Sequence, residues 1–439
     1  MTLKRGLIAA AVVAVLLAAG AGFTWWWNER ETRDVRGSRT VEFDPTEGPG
    51  ATTAPPATET DESEQMDEEA TTVVWPTYGY DLQRTRFAPF RHRPPFRRLW
   101  MFRALNQVEF PPAIAYGRLY FANTAGRVVA LDAETGEPVW TRHLHRGTAA
   151  SPAIADGVLY QPLMNAKREP RESAPGFMVA LDAETGKILW RFRAGVMESS
   201  PLYVNGILYF GTFDNRLYAL DTRTRKVRWS YRTGDNVKGG PAYSKGTIFF
   251  GSYDGNAYAV NARTGRLRWR SGAQGGLGGA GNFYTTAAVA YGRVFLGNTD
   301  GKVYAYGART GNLLWSRSTG GYVYSSPSVW NQTVFAGSYD GRFYAFDAAT
   351  GDTRWSFNAG GPISGSSTVM SGLVYFSRLR AHGVSKGLVR PGKTFAVNAR
   401  SGKLVWTFPD GKYTPIVADE ERVYMTGYTR IYGLRDKRR

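Results

Sequence analysis

Eight tryptophans recur along the last four-fifths of the chain, at Trp100, Trp140, Trp190, Trp229, Trp269, Trp315, Trp355 and Trp406. Seven of them close one phrase, written ALDAETGEPVW at Ala130 to Trp140 and ALDAETGKILW at Ala180 to Trp190. A phrase that returns about every 40 residues marks a stacked repeat, in which each unit buries its apolar face only against its neighbours.

One unit reads clearly between Ser199 and Tyr231. Ser200 to Val204 predicts a strand, Asn205-Gly206 a hairpin turn, and Ile207 to Gly211 a second, alternating strand. Arg216 to Asp221 and Val227 to Tyr231 complete four antiparallel strands, the blade of a β-propeller. Within the phrase, an Asp or Asn can bond back to turn amides and a Gly supplies a positive φ. The Trp offers a flat area that cements one blade to the next. Seven complete units end at Trp140 through Trp406, and only three strands follow. The missing strand is expected from Leu99 to Phe102, which closes an eight-bladed ring with both ends of the domain and leaves no open edge. The fold class is therefore all-β, built of four-stranded antiparallel blades.

Lys4 and Arg5 precede an uncharged run from Gly6 to Trp27. As a helix at ~1.5 Å per residue, this run is long enough for a hydrocarbon core of ~30 Å. Trp25, Trp26 and Trp27 at its far end fit an interfacial belt. The expected organisation is a cytoplasmic N-terminus (1–5), a single-pass transmembrane signal anchor (6–27) and a disordered acidic linker (28–72). A leading segment (73–94) and the propeller (95–439) follow, on the extracytoplasmic side of a cell membrane. The rival reading of the apolar run is a cleaved signal peptide with Ala19-Gly20-Ala21 as its site.

With no cysteine, disulfides, thiolate metal sites and thiol nucleophiles are excluded. Residues 1–72 hold 6 basic and 13 acidic side chains, leaving 49 basic and 24 acidic for the rest. A strongly basic body points to an anionic partner: an envelope protein, an acidic polymer or a lipid surface. Nucleic acid is not expected, because the blade pattern accounts for the tyrosines and the compartment is wrong. A monomer is expected.

The phrase A-x-[DN]-x-x-[TS]-G-x-x-x-W resembles the tryptophan-docking repeat of the pyrroloquinoline quinone (PQQ)-like eight-bladed propellers, over about residues 95–439. Trp75-Pro76-Thr77-Tyr78-Gly79-Tyr80-Asp81, with Thr85-Arg86, is similar to the segment that precedes such propellers. That family includes quinoprotein dehydrogenases and the non-enzymatic outer-membrane assembly scaffold BamB. The resemblance implies the fold firmly and the activity hardly at all.

Three long excursions, Leu163 to Gly176, Gly272 to Asn282 and Ser377 to Lys393, fall on one face of such a ring. They give a basic binding face of Lys167, Arg168, Arg171, Arg378, Arg380, Lys386, Arg390 and Lys393. Residues just before each innermost strand ring the central funnel: Glu198, Lys238, Tyr284, Tyr324, Ser364 and Tyr413. Glu198 reads as the only carboxylate there, hence the best single Ca²⁺ ligand or base if the protein is an enzyme. His143 and His145 are two apart on a strand and lack an evident third ligand. The leading expectation is a binding or scaffold module that resembles BamB and carries no cofactor or metal. The alternative is a PQQ- and Ca²⁺-dependent dehydrogenase of alcohols or sugars, with Glu198 catalytic.

Overall fold

A computed structural model describes residues 20–25, 28–49, 72–165, 175–275, 279–379, 392–413 and 416–437. Alternation of apolar and polar residues, punctuated by tight turns, yields eight antiparallel sheets of four blade strands each. In the third blade, Leu202–Val204, Ile207–Thr212, Arg216–Asp221 and Val227–Arg232 pair in that order from the channel outward. The eighth blade joins Ile416–Ala418, Val423–Thr426 and Arg430–Asp436 to Phe96–Arg103, so strands from both ends of the domain close the ring. Each innermost strand starts on the face of the inter-blade loops and ends at a two-residue turn. The molecule thus has a funnel face and a turn face.

The phrase residues join blade to blade. Trp140 donates its indole N–H to the Ala183 carbonyl of the next blade at 2.9 Å, and Trp229, Trp269 and Trp315 do the same to Ala262, Ala308 and Ala348. Asp132 and Asp182 accept from the amides of Thr135 and Thr185, which fixes the turn that presents that carbonyl. Opposite each of these tryptophans the ladder slips by one residue, as between Ala219 and Leu220, and the bulge twists the outer strand.

The leading segment forms the hub. Val73–Trp75 adds a strand inside the first blade, and Phe87–Ala88 pairs parallel to Thr368–Met370 of the seventh. Between them, carbonyls of Pro76, Leu82, Gln83, Thr85 and Arg86 accept the amides of Ile154, Tyr243, Val289, Val329 and Val369. These are the middle residues of the inner strands of blades two, four, five, six and seven. Blade three is reached by side chains: buried Arg84 donates to the Ser200 and Pro201 carbonyls, and the Thr77 hydroxyl also donates to Pro201. His92 meets the Asp419 carbonyl of blade eight at 2.8 Å. The segment visits the blades in ring order and fills the channel.

The expected disordered linker over 28–72 is corrected in its described part. Residues 33–47 form a strap that runs down the outside of the fifth blade from the funnel face to the turn face. Lys302 donates to the Thr32 carbonyl at the funnel face, and Val35 exchanges hydrogen bonds with Ser316 at 3.0 Å. Arg36 bridges to Asp352 at 2.8 Å, and Tyr291 donates its amide to the Glu47 carbonyl on the turn face. The strap explains why the outer strand of this blade, Leu313–Ser318, is buried where those of its neighbours are exposed.

The expected membrane anchor over 6–27 lies outside the described residues except for 20–25, which are helical and exposed. Among the described residues no helix is long and apolar enough to cross a membrane.

Candidate functional site

Six funnel positions read from the sequence come together in three dimensions. Glu198, Lys238, Tyr284, Tyr324, Ser364 and Tyr413 line one cavity of about 50 Å³ above the hub. The inter-blade loops bring them there because each precedes an innermost strand by three or four residues. A belt of hydroxyls locks those loops. Ser151, Thr286 and Ser326 donate their amides to Ser200, Ser326 and Ser366 at 3.0–3.1 Å, each crossing to the next blade.

Tyr78 from the hub forms the floor, its hydroxyl 2.6 Å from Ser366 and its ring edge-on to Phe110. Arg86 stacks 4.8 Å below the Tyr78 ring. Burial pushes the Tyr78 phenol up, yet Arg86 and the Ser366 and Ser326 hydroxyls outweigh it and hold it below the usual range. Burial lowers Arg84 to about 9, with Arg86 adding to the shift. That guanidinium remains charged at neutral pH and is bonded to Pro241, Thr77, Tyr78, Ser200 and Pro201.

Glu198 is not the only carboxylate, contrary to expectation. Glu109 lines the same cavity. It occupies the equivalent position before the first blade, in Val108-Glu109-Phe110-Pro111-Pro112, and the parallel with Val196-Met197-Glu198-Ser199-Ser200-Pro201 could have revealed it. The two acids act on their neighbours. Burial, then Glu198 and Glu109, hold the Tyr284 phenol far above its usual range. Burial and Glu109 raise Tyr413 as well. Burial lowers Lys412, with Glu109 opposing, and its ammonium lies 4.6 Å from the Tyr413 ring and 2.8 Å from Gln107. Lys238 sits 4.2 Å over Tyr253 and 4.6 Å over Phe213.

Glu109, Glu198 and Tyr284 also border a side cleft of about 740 Å³ that opens on the funnel face beside His143, His145 and Arg146. The two histidine rings lie 4.1 Å apart. Among the described residues no three His, Asp or Glu side chains converge as metal ligands would.

Of the expected basic face, Lys167, Arg168, Arg171, Arg380, Lys386 and Arg390 lie outside the described residues. Arg378 and Lys393 are cross-strand partners at the funnel end of the seventh blade. Both reach the Phe395 ring, and Arg378 donates to the Ala359 carbonyl at 2.7 Å.

The family model described as "Outer membrane protein assembly factor BamB" matches residues 172–279 and 273–432, more than half of the chain. The chain belongs to the PQQ-like repeat propeller family. A second model, for the β-propeller domain of glucose/ethanol/alcohol dehydrogenase, matches residues 75–195 of this PQQ-like propeller. A 130-residue stretch is 32% identical to the dehydrogenase subunit of a quinone alcohol dehydrogenase from Gluconobacter oxydans (strain 621H). That match covers 27% of the chain and only 17% of the relative. Among solved structures, quinohemoprotein alcohol dehydrogenase from Comamonas testosteroni superposes with a TM-score of 0.67 at 14% identity, covering 86% of this chain and 82% of that one. BamB from Moraxella catarrhalis gives 0.61 at 17% identity, covering 77% and 99%. At such identities the PQQ-like propeller shares their fold, and their activities do not transfer by likeness.

PQQ is a multi-ring organic cofactor, and pockets for such ligands run to ~300–1,000 Å³. The funnel cavity is several times smaller and floored by Tyr78 and Phe110, and no tryptophan lines it. The residues present do not fit a quinone in the funnel.

Proposed function

We propose that this protein is a membrane-anchored, extracytoplasmic propeller that binds an envelope protein or an anionic polymer and performs no redox chemistry. The observation that carries this reading is the filled hub. The leading segment occupies the channel of the ring: on the funnel side it leaves a cavity of about 50 Å³ lined mainly by Tyr, Ser and Gly around Glu109, Glu198 and Lys238, and on the turn side it lines, with the strap, a cavity of about 860 Å³. A propeller organised this way offers its faces, rather than its axis, to a partner. The apolar run Gly6–Trp27 supplies the anchor, and the positive residues before it orient the body away from the cytoplasm.

The second reading is a quinone-dependent dehydrogenase. It is favoured by one observation, the presence of both Glu109 and Glu198 where the funnel meets the side cleft. One experiment separates the two. Purified protein is incubated with PQQ and Ca²⁺ and assayed with a redox dye across alcohols and sugars. The binding reading expects no turnover above the blank; saturable turnover that Glu198→Gln abolishes would sink it. For the partner, Arg378→Glu combined with Lys393→Glu is expected to reduce capture from envelope extracts at least threefold. Unchanged capture removes the funnel face as the docking surface.

A further inference from the structure

The strap carries information about orientation that the propeller alone lacks. Residues 20–25 and 28–32 are helical, and Thr32, five residues past the end of the apolar run at Trp27, is held by Lys302 at the funnel face. Only then does the strap descend to the turn face through Asp34, Val35 and Arg36. Five residues reach ~7.5 Å as helix and ~17 Å fully extended. The funnel face is therefore tied to within one or two Debye lengths (~8–10 Å each) of the point where the apolar run ends.

That face has the composition for it. The third strand of six blades opens there on a basic residue: Arg127, Arg216, Lys302, Arg342, Lys393 and Arg430. Arg430 and Arg216 stand directly across from Arg103 and Arg232 on the outer strands, which doubles the positive rim. Two acids on the same face are hydrogen-bonded to the ring: Asp254 and Asp340 accept from Tyr258 and Tyr344 at 2.5 Å and from the amides of Gly234 and Gly320. The acids of the repeated phrase, such as Asp132 and Asp221, sit on the opposite, turn face. Among the described residues, Leu105, Tyr322 and Tyr428 are large apolar side chains 50–68% exposed on funnel-face loops, and Trp25 on the helix is 68% exposed. Bases mixed with exposed aromatics at the end of a membrane helix are the chemistry of an anionic headgroup layer.

We infer that the funnel face lies against the anionic headgroups of the membrane in which the chain is anchored. The turn face, with the strap laid across it, then points away from the bilayer. This rests on the anchor reading above and goes further by fixing which way the ring faces.

The chain has no cysteine, so single cysteines report position without background. Tyr322→Cys and Tyr428→Cys mark the funnel face, and Glu184→Cys and Lys226→Cys the turn face; all four sites are exposed. The full-length protein, labelled with a fluorophore, is reconstituted into phosphatidylcholine vesicles with or without 30% phosphatidylglycerol, and quenching by headgroup-nitroxide lipid is measured. In anionic vesicles the funnel-face labels are expected to quench at least threefold more than the turn-face labels. Combining Arg103→Glu, Arg342→Glu and Arg430→Glu should at least halve that difference. Equal quenching of both faces in protein that survives an alkaline wash overturns the inference and leaves the anchor standing. Protein that washes off overturns the anchor reading and the inference with it. A preference of the same size without phosphatidylglycerol overturns the headgroup assignment.

Discussion

The glycine of the repeated phrase meets two demands at once. Gly351 adopts φ 74°, and a Cβ built on it would stand 2.8 Å from the Trp315 indole of the preceding blade. Gly186 and Gly402 lie in the same way beneath Trp140 and Trp355. The sequence conveys the first demand through the turn, while the second emerges only when the neighbouring blade is in place. Gly351→Ala is expected to cost about 2 kcal/mol, read as a lower urea midpoint, because strain and a clash with an indole coincide. Arg225 stands at the corresponding position of the third blade with φ 60°. Left-handed geometry costs an L-residue about 1–2 kcal/mol, so Arg225→Gly should raise stability by about 0.5–1 kcal/mol after glycine's own entropy is counted. A loss of stability in Arg225→Gly would mean that the arginine side chain contributes more than its backbone strain removes.

Hub and strap differ in how far they could be read from the chain. Trp75, Tyr78 and the Thr85-Arg86 pair marked a leading segment only by its resemblance to the one that precedes such propellers, and its place inside the ring emerges from the structure. Residues 33–47 carried no such mark, because the strap is fixed by polar bonds rather than by apolar burial. Its chief fastener is Arg293, which donates to the carbonyls of Ser38, Val41, Glu42, Ala348 and Ala349. Burial lowers that guanidinium to about 10, and it stays charged in physiological buffer. Arg293→Leu should free the strap, so that trypsin cuts at Arg36 and Arg39 well before the ring. Arg36→Ala removes only a surface bridge and should leave the urea midpoint nearly unchanged. Equal trypsin resistance of Arg293→Leu and the unaltered protein would show that the strap is held elsewhere. At the hub, Arg84→Met strands several buried carbonyls and is expected to cost about 3 kcal/mol or more.

The ring as a whole should be sensitive to alkali. Tyr120, Tyr209 and Tyr432 are each pushed up to about 12, first by burial. Below pH 10 these phenols are protonated folded or unfolded and contribute nothing to pH dependence. Between pH 10 and 12 the unfolded chain has released protons that the folded chain keeps, so stability falls as pH rises. Arg84 at about 9, Arg293 at about 10 and Lys412, all lowered first by burial, work in the opposite direction, but they are fewer than the buried tyrosines. Denaturation at rising pH should show the midpoint dropping from pH 10, with phenolate absorbance appearing in step with unfolding; a flat midpoint to pH 12 would contradict it. Blade number and closure were legible because a period-two pattern and a fixed phrase leave little freedom of register. The funnel was legible by position, since each of its residues holds the same place before an inner strand. Glu109 escaped because the first such place precedes the first phrase, and the functional surfaces escaped because repeats explain their own residues and not what touches them. One further consequence follows from the hub. Its carbonyls and side chains bond to all eight blades, at or beside their inner strands. A ring of seven or nine would set those amides out of step with their acceptors. The leading segment is thus a gauge of circumference, and the protein carries its own check that the correct number of blades has been assembled.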